Sequence, residues 1–319
     1  MHAELSKFDF MEEGNYTIRE IKPVLTAWLT EALLLMKRTP VPDEIAVHDI
    51  RVLMKKCRAI MKLISTHTDQ AVFDREYFAF RDIGRSLTGL RESSVHRKTL
   101  KMLRKSHHEL FSKLAGNEKI ELLLEGDDLK QEVSQELMNS LDTARNLLSR
   151  TSFRIRFVSF GRQDQELLIE EVRKSFSAVT SLYLECRNNP KPSSLHRLRK
   201  RVKDLLYQLY FVRPLNPGAV KSLEKKLDGI AQNLGAFNDL AQLIKETGYS
   251  IDGEERTPEM DELMIVIRNR QDECLAKVWP VAFRIFCPGH NIDNIIGKGY
   301  RKDDFPDPAI IEASGKDNL

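Results

Sequence analysis

Residues 48–62 read His48-Asp-Ile-Arg-Val-Leu-Met-Lys-Lys-Cys-Arg-Ala-Ile-Met-Lys62, with the apolar spacing of an amphipathic helix. At about 100° per residue, the apolar and basic side chains fall on opposite sides of such a helix. The basic side forms one narrow stripe of His48, Arg51, Lys55, Arg58 and Lys62. Solvated helix faces commonly pair acids with bases at i,i+4, but Asp49 is the only acid here and lies off the stripe. Because like charges at this spacing repel each other, the pattern predicts a helix that presents its basic face to an anion.

Basic residues are concentrated in two further windows. Residues 96–108 contain five Lys and Arg and no acid, and residues 196–204 contain five against one acid. Together with residues 48–62, these windows hold 15 of the 50 Lys and Arg residues but only two of the 47 Asp and Glu residues. The rest of the chain is therefore acidic, although the net charge of the whole is +3. This asymmetry predicts a polyanionic partner.

Length and composition indicate a soluble, folded protein. The 319 residues are 41% hydrophobic and 30% charged, and no apolar run approaches the roughly 18 residues of a membrane span. The N-terminus lacks the order of a secretory signal, basic first and then apolar. Four cysteines lie apart without metal-type spacing, which indicates reduced thiols and a cytoplasmic protein. We expect no membrane contact, no metal and no cofactor.

Proline and glycine breaks divide the chain into amphipathic segments, which predict an all-α fold. A capping box of Thr17 and Glu20 opens the first segment. The alternating segment 153–160 has no second strand to pair with, so it is interpreted as helix or connector. The predicted helices cover about 17–38, 48–62, 72–90, 95–114, a segment ending near 150, 164–187, 195–212, 218–234, 237–247 and 259–286. Residues 1–16 are expected to be a flexible lead-in and residues 288–319 a frayed tail.

Two motifs recur at nearly the same distance. The pattern His-x-x-Arg-x-x-x-Lys occurs at His48–Lys55 and again at His196–Lys203, 148 residues later. Residues 87–92 align with residues 234–239 at an offset of 147. The recurrence predicts a duplicated unit, with residues 17–150 as the first repeat and 151–287 as the second. Duplicated helical units pack about a pseudo-two-fold axis, so their basic faces are expected to meet.

These motifs resemble those of the CHAD domains, a family named for a characteristic histidine and an all-α fold. The resemblance rests on His48-x-x-Arg51-x-x-x-Lys55, on His196-x-x-Arg199-Lys200-x-x-Lys203 with Tyr207, and on Leu234-Gly-x-x-Asn238-Asp239-Leu240. It implies that the two repeats form one CHAD domain of two four-helix bundles, related by internal pseudo-two-fold duplication around a basic cavity. It also implies binding of inorganic polyphosphate. In the first repeat Arg91, Glu92 and a shifted Gly89 depart from the pattern, which affects the predicted turn between helices more than the basic face.

The predicted polyphosphate-binding residues are the basic side chains of both repeats. They are His48, Arg51, Lys55, Lys56, Arg58, Lys62, Arg97, Lys101, Arg104, His108, His196, Arg199, Lys200, Lys203, Lys221 and Lys225. For the two repeat histidines, a hydrogen-bonded residue in the first helical turn is an equal alternative. For the last two lysines, nearby Glu224 and Asp228 make a solvated face an equal alternative. Arg51 and Arg199 are predicted to face the anion, so that their truncation weakens binding and not stability.

The sequence favours non-catalytic binding of polyphosphate in a groove or pore between the duplicated helices. It contains no Gly-rich phosphate loop, nucleophile elbow or His-Glu-x-x-His motif, so we expect no enzymatic activity. Association with polyphosphate granules is a further expectation. One alternative is a nucleic-acid-binding module, but Tyr207 is the only aromatic ring within the basic stripes, whereas single-strand binders interleave rings with cations. The other alternative is a scaffold that recruits a protein partner.

Overall fold

The computed structural model describes residues 19–38, 41–88, 92–125, 135–161, 165–249 and 256–296. Every regular element within these ranges is a helix, which confirms the predicted all-α class. The α-helices are α1 (Ile21–Lys37), α2 (Glu44–Leu63), α3 (Gln70–Ser86), α4 (Glu92–Ser106), α5 (His108–Lys113), α6 (Glu118–Glu125), α7 (Gln135–Phe157), α8 (Gln165–Asn188), α9 (Pro192–Val212), α10 (Pro217–Glu246), α11 (Pro258–Phe286) and α12 (Asp293–Ile296). Short 3-10 turns follow α2 (Ser65–His67) and α9 (Arg213–Leu215).

Helix α2 contains the whole basic stretch 48–62. Asp43 begins the helix, because its carboxylate accepts a hydrogen bond from the backbone N–H of Ala46 at 2.7 Å. The predicted apolar side is buried throughout: Ile50, Leu53, Met54, Cys57, Ile60, Met61 and Ile64. The prediction of an amphipathic helix is therefore confirmed at this position.

The helices pack as two rings that share one core. In the first ring α1 packs on α2, α2 on α3, α3 on α7 and α7 on α1; in the second, α8 packs on α9, α9 on α10, α10 on α11 and α11 on α8. Helices α2 and α9 join the rings by packing on each other. One apolar cluster runs through both rings and includes Leu53 of α2 and Leu205 of α9. The two basic helices thus occupy the centre of the molecule.

Helices α2 and α9 run antiparallel where they touch. The side-chain amide of Gln208 donates a buried hydrogen bond to the backbone carbonyl of Ala59 at 3.0 Å, over a sequence separation of 149. Lys62 Nζ lies 2.5 Å from Asp204 Oδ2. From Ala59 to Lys62 the residue numbers rise along α2, whereas those of the contacted residues on α9 fall from Gln208 to Asp204. The two helices therefore run in opposite directions. The sequence separation of 149 between Ala59 and Gln208 is close to the offset of 148 between the two motifs. The helices therefore meet near corresponding positions of the two repeats.

A smaller apolar cluster lies beside the rings. Side chains of α4, α5 and α6, among them Leu100, Phe111 and Ile120, pack against the end of α10 and the beginning of α11. Lys98 Nζ also lies 2.6 Å from Glu44 Oε1, which links α4 to the first turn of α2. These three short helices therefore attach to the second ring and not only to the first.

Two predicted helix boundaries are wrong. The predicted helices 218–234 and 237–247 are one helix, α10, because Gly235 is accommodated inside it. The predicted helix 95–114 is interrupted at His107, whose φ of −134° and ψ of 55° are not helical. Just before this break, the hydroxyl of Ser106 donates to the backbone carbonyls of Met102 and Leu103, and such local bonds compete with regular helix geometry.

The structure describes parts of the chain ends and of the connectors between helices. Thr17, the lead-in 1–16 and residues 89–91 lie outside the described residues. The predicted capping box is wrong, because Glu20 has an extended backbone and α1 begins only at Ile21. Segment 153–160 is helical up to Phe157, within the predicted choice of helix or connector. The predicted frayed tail is wrong for residues 292–296, because their three isoleucines are buried and Asn216 donates to the carbonyl of Ile295 at 3.0 Å. None of the helices within the described ranges combines the length and apolar character needed to cross a bilayer.

Candidate anion-binding site

Lysines of α2 and α9 come within electrostatic reach of each other at the centre of the molecule. Lys56 is half-buried, with its ammonium 5.5 Å from the centre of the Trp28 ring. Burial lowers the pKa of Lys56, Glu31 raises it, and the charge of Lys203 lowers it further. The structure therefore brings one predicted cation of each repeat together.

Two predicted site lysines are paired with carboxylates from other helices. Lys62 of α2 pairs with Asp204 of α9 at 2.5 Å, and Lys203 of α9 pairs with Asp228 of α10 at 2.9 Å. The lysine side chains are each 30% exposed, so both pairs are reachable from solvent. The basic face of α2 is thus less purely positive than its own sequence indicated, because neighbouring helices supply the acids.

The equivalent arginines of the two repeats are anchored to backbone carbonyls. Arg51 Nη1 donates to the carbonyl of Leu87 at 3.1 Å, at the end of α3, and Arg199 Nε donates to that of Ala231 at 3.3 Å, inside α10. Both guanidinium groups are partly buried. They therefore hold helices together in the free protein, which the sequence-based prediction of a purely anion-facing role did not include.

Gly235 lies directly beneath Arg199. A Cβ atom built on Gly235 would lie 3.1 Å from Nε and 3.2 Å from Nη2 of Arg199, closer than most Cβ contacts in proteins. The missing side chain thus gives the guanidinium its place on α10. Sequence reasoning took this glycine for part of a turn, and it acts here as a positioning residue.

Aromatic rings stand beside cations of both α2 and α9. Arg58 donates to the hydroxyl of Tyr77 at 3.1 Å and lies 5.1 Å from the centre of its ring. Lys203 lies 5.8 Å from the ring of Tyr207, and burial, with Asp228 as the next cause, raises the pKa of Tyr207 to about 12. Trp28 is only 8% exposed. More aromatic rings therefore lie near the basic residues than the sequences of the basic segments indicate. These rings pack against other side chains of the protein.

The two repeat histidines are half-buried near the beginnings of α2 and α9. Burial lowers the pKa of His196, and the charges of Lys200 and Arg199 lower it further, against a hydrogen bond with Asn238 and the charge of Asp239. Nδ1 of His196 is buried and has no hydrogen-bond partner among the described residues. The hydrogen bond between His196 and Asn238 thus links α9 to α10.

The remaining predicted residues lie mostly on the surface. Exposed lysines occur on α2, α9 and α10, and exposed basic residues on α4 and α5, whereas Arg97 is half-buried. The exposed members are Lys55, Lys101, Arg104, His108, Lys200, Lys221 and Lys225. The break at His107 separates His108 from the rest of its predicted stripe, so the stripe on residues 97–108 is not continuous. Lys221 lies near Glu224, whose carboxylate pairs with Arg213 at 2.8 Å.

Within the part of the chain that the structure describes, no group of three or more His, Cys, Asp or Glu side chains could hold a metal ion. Comparison with protein families gives one match: the model described as CHAD domain matches residues 22–246. The matched segment begins in α1 and ends with the last residue of α10. Neither the curated proteins nor the solved structures yield a match.

Proposed function

Because the chain belongs to the CHAD domain family, we propose that it binds inorganic polyphosphate without catalysing a reaction on it. The binding site is a groove or pore at the junction of α2 and α9. We further propose that the two helical rings are the two duplicated four-helix bundles, and that the protein acts in the cytoplasm, in association with polyphosphate granules.

One observation carries the proposal. Helices α2 and α9 bear the same His-x-x-Arg-x-x-x-Lys motif and pack on each other, and Lys62 of α2 and Lys203 of α9 are each 30% exposed. The carboxylates of Asp204 and Asp228 pair with two lysines at this junction, while Lys55 of α2 and Lys200 of α9 are exposed to solvent. Lysine and arginine supply charge and several N–H donors to phosphate oxygens. Selectivity follows from the width and length of the groove, because a phosphate chain has no bases to read.

The nucleic-acid alternative finds less support. Single-strand binding requires exposed rings on which bases stack. Trp28 is 8% exposed, while Tyr77 and Tyr207 are engaged with Arg58 and Lys203. A protein-recruiting scaffold would not need the same basic motif on two helices that pack on each other.

The test compares long-chain polyphosphate with single-stranded RNA of equal total charge, titrated against the full chain. We expect the polyphosphate to bind more tightly and its affinity to fall steeply with salt. A protein that makes six to ten phosphate contacts loses about 10³- to 10⁵-fold in affinity between about 50 and 200 mM salt. Equal affinity for RNA would favour the nucleic-acid alternative, and an affinity independent of salt would exclude the basic helices as the site.

A further inference from the structure

Two carboxylates lie inside the proposed site and occupy its lysines. Asp204 is 17% exposed and lies 2.5 Å from Lys62, and Asp228 lies 2.9 Å from Lys203. Both acids act on the hydroxyl of Tyr207, whose pKa they raise after the effect of burial. The two ion pairs therefore share one neighbourhood between α2, α9 and α10.

The structure holds Asp228 firmly in this position. One oxygen of Asp228 pairs with Lys203, and the other accepts a hydrogen bond from the side-chain amide of Gln232 at 2.6 Å. Asp204 is fixed by its short contact to Lys62 and by its low exposure. Neither carboxylate can swing away without losing these contacts.

A phosphate that approaches either lysine meets an ammonium group that is already paired. An ammonium has three N–H donors, so it can bind a phosphate oxygen while it keeps its carboxylate. The phosphate and the carboxylate then lie a few ångströms apart, where salt screens their repulsion poorly. An anion with one to three phosphates gains little at these positions, whereas a long chain adds contacts to further cations.

We propose that Asp204 and Asp228 set a minimum charge for the ligand, so that the site rejects orthophosphate and short polyphosphates and accepts long chains. This inference rests on the proposed function, because it concerns the selectivity of the same site. The two aspartates are specificity-determining residues that compete with the ligand for Lys62 and Lys203.

The test uses Asp204→Asn and Asp228→Asn, which keep the shape of each side chain and remove its charge. Asp142→Asn is the matched control, because it adds the same unit of positive charge on α7, where exposed Asp142 pairs with Arg145 at 3.0 Å. Binding of tripolyphosphate and of long-chain polyphosphate is measured by titration calorimetry, and unfolding in urea is measured without ligand.

We expect each site variant to bind tripolyphosphate about tenfold more tightly than the unaltered chain, because one repulsive charge is removed, and to unfold at lower urea. In the control variant, the affinity for tripolyphosphate and the stability in urea should both change by much less. Tighter tripolyphosphate binding together with lower stability would show that the carboxylate competes with the ligand for its lysine. If the carboxylate only positioned the lysine, its removal would lower both the affinity and the stability. Unchanged or weaker binding by both site variants overturns the inference. Failure of the unaltered chain to bind polyphosphate of any length would instead overturn the proposed function.

Discussion

Nε of Arg199 lies 3.1 Å from the point where a Cβ atom would stand on Gly235. A glycine inside a helix costs about 1 kcal/mol relative to alanine. This glycine sits in the middle of the 30-residue helix α10, and the space above it is filled by the guanidinium of α9. Gly235 weakens helix α10 but leaves the space that the guanidinium of Arg199, a predicted site residue, occupies.

The first prediction concerns Gly235→Ala. The added methyl group should displace the Arg199 guanidinium by a few tenths of an ångström and weaken polyphosphate binding by about threefold or more, roughly 0.7 kcal/mol. The free energy of unfolding should change by less than about 1 kcal/mol, because gained helix propensity offsets strain. Gly229→Ala on the same helix is the control, since a Cβ there meets nothing within 4 Å. Equal affinities of the two variants would show that Gly235 does not position Arg199.

The second prediction concerns the anchored arginines. Arg51→Ala leaves the carbonyl of Leu87 at the end of α3 without its arginine donor, whereas Arg199→Ala removes a second hydrogen bond from the carbonyl of Ala231, which is already paired within α10. The free energy of unfolding should therefore fall by about 1–3 kcal/mol for Arg51→Ala and by about 1 kcal/mol for Arg199→Ala. The double variant should also bind polyphosphate at least about tenfold more weakly. Urea unfolding and a polyphosphate titration check the two effects. Arg201→Ala, on the exposed side of α9, should shift stability by no more than about 0.5 kcal/mol. If the double variant were as stable as the unaltered chain, Arg51 and Arg199 would contribute to anion binding and not to stability.

The third prediction concerns pH and His196. Burial lowers the pKa of His196, so the unfolded chain binds its proton at higher pH than the folded chain does. Its contribution to stability is therefore complete above the unfolded-state pKa of about 6.5 and is lost as pH falls through the folded-state pKa. A nearby polyanion favours the charged imidazole, so binding should take up a proton and tighten as the pH falls.

His196→Gln should remove this component of the pH dependence. Affinities at about pH 6 and 8, on either side of the ordinary histidine pKa, are compared for the variant and the unaltered chain. The comparison cancels titration of the ligand itself. The same pH dependence in both proteins would mean that His196 does not titrate on binding.

The fourth prediction separates the fold from the site. Leu205 is fully buried in the shared core, so Leu205→Ala should lower the free energy of unfolding by about 2–5 kcal/mol. The fraction that remains folded should bind polyphosphate with unchanged affinity. A titration under conditions where the variant is still folded checks this, and a loss of affinity there would indicate that core packing controls the site.

The fifth prediction concerns the exposed lysine of the second motif. Lys200→Gln should weaken polyphosphate binding and reduce the slope of log affinity against log salt by about one. It should leave stability within about 0.5 kcal/mol, because the side chain is exposed. Lys277→Gln removes the same charge from the exposed face of α11 and serves as the control. Equal losses in the two variants would indicate attraction by net charge and not a defined site.

Local patterns predicted the central helices well. The burial of Ile50, Leu53 and Cys57 follows directly from the apolar period of residues 48–62, because that period fixes which side of a helix can face a core. The all-α class follows from the same kind of pattern along the chain. The family resemblance also rested on local motifs, and the matched segment 22–246 agrees with it.

Contacts between helices could not be predicted in the same way. Asp204 and Asp228 neutralise lysines that are 142 and 25 residues away, and nothing in the spacing of either lysine indicates its partner. The continuity of α10 was missed because a single glycine weakens a helix by only about 1 kcal/mol, which tertiary packing outweighs. The break at His107 could not be predicted, because the apolar period of the predicted helix 95–114 continues through it.

The hydrogen bond between Gln208 and Ala59 also bears on the synthesis of the chain. It joins residues 149 apart, so the surface of α2 that α9 covers is made long before its cover. Ribosomes add about 5–20 residues per second, which leaves that apolar surface exposed for roughly 7–30 s in each new molecule. Non-local contacts of this kind also fold slowly, because a long loop must close first. We therefore expect the first half of the nascent protein to expose apolar surface until α9 is made, and truncation before α9 to leave it prone to aggregation.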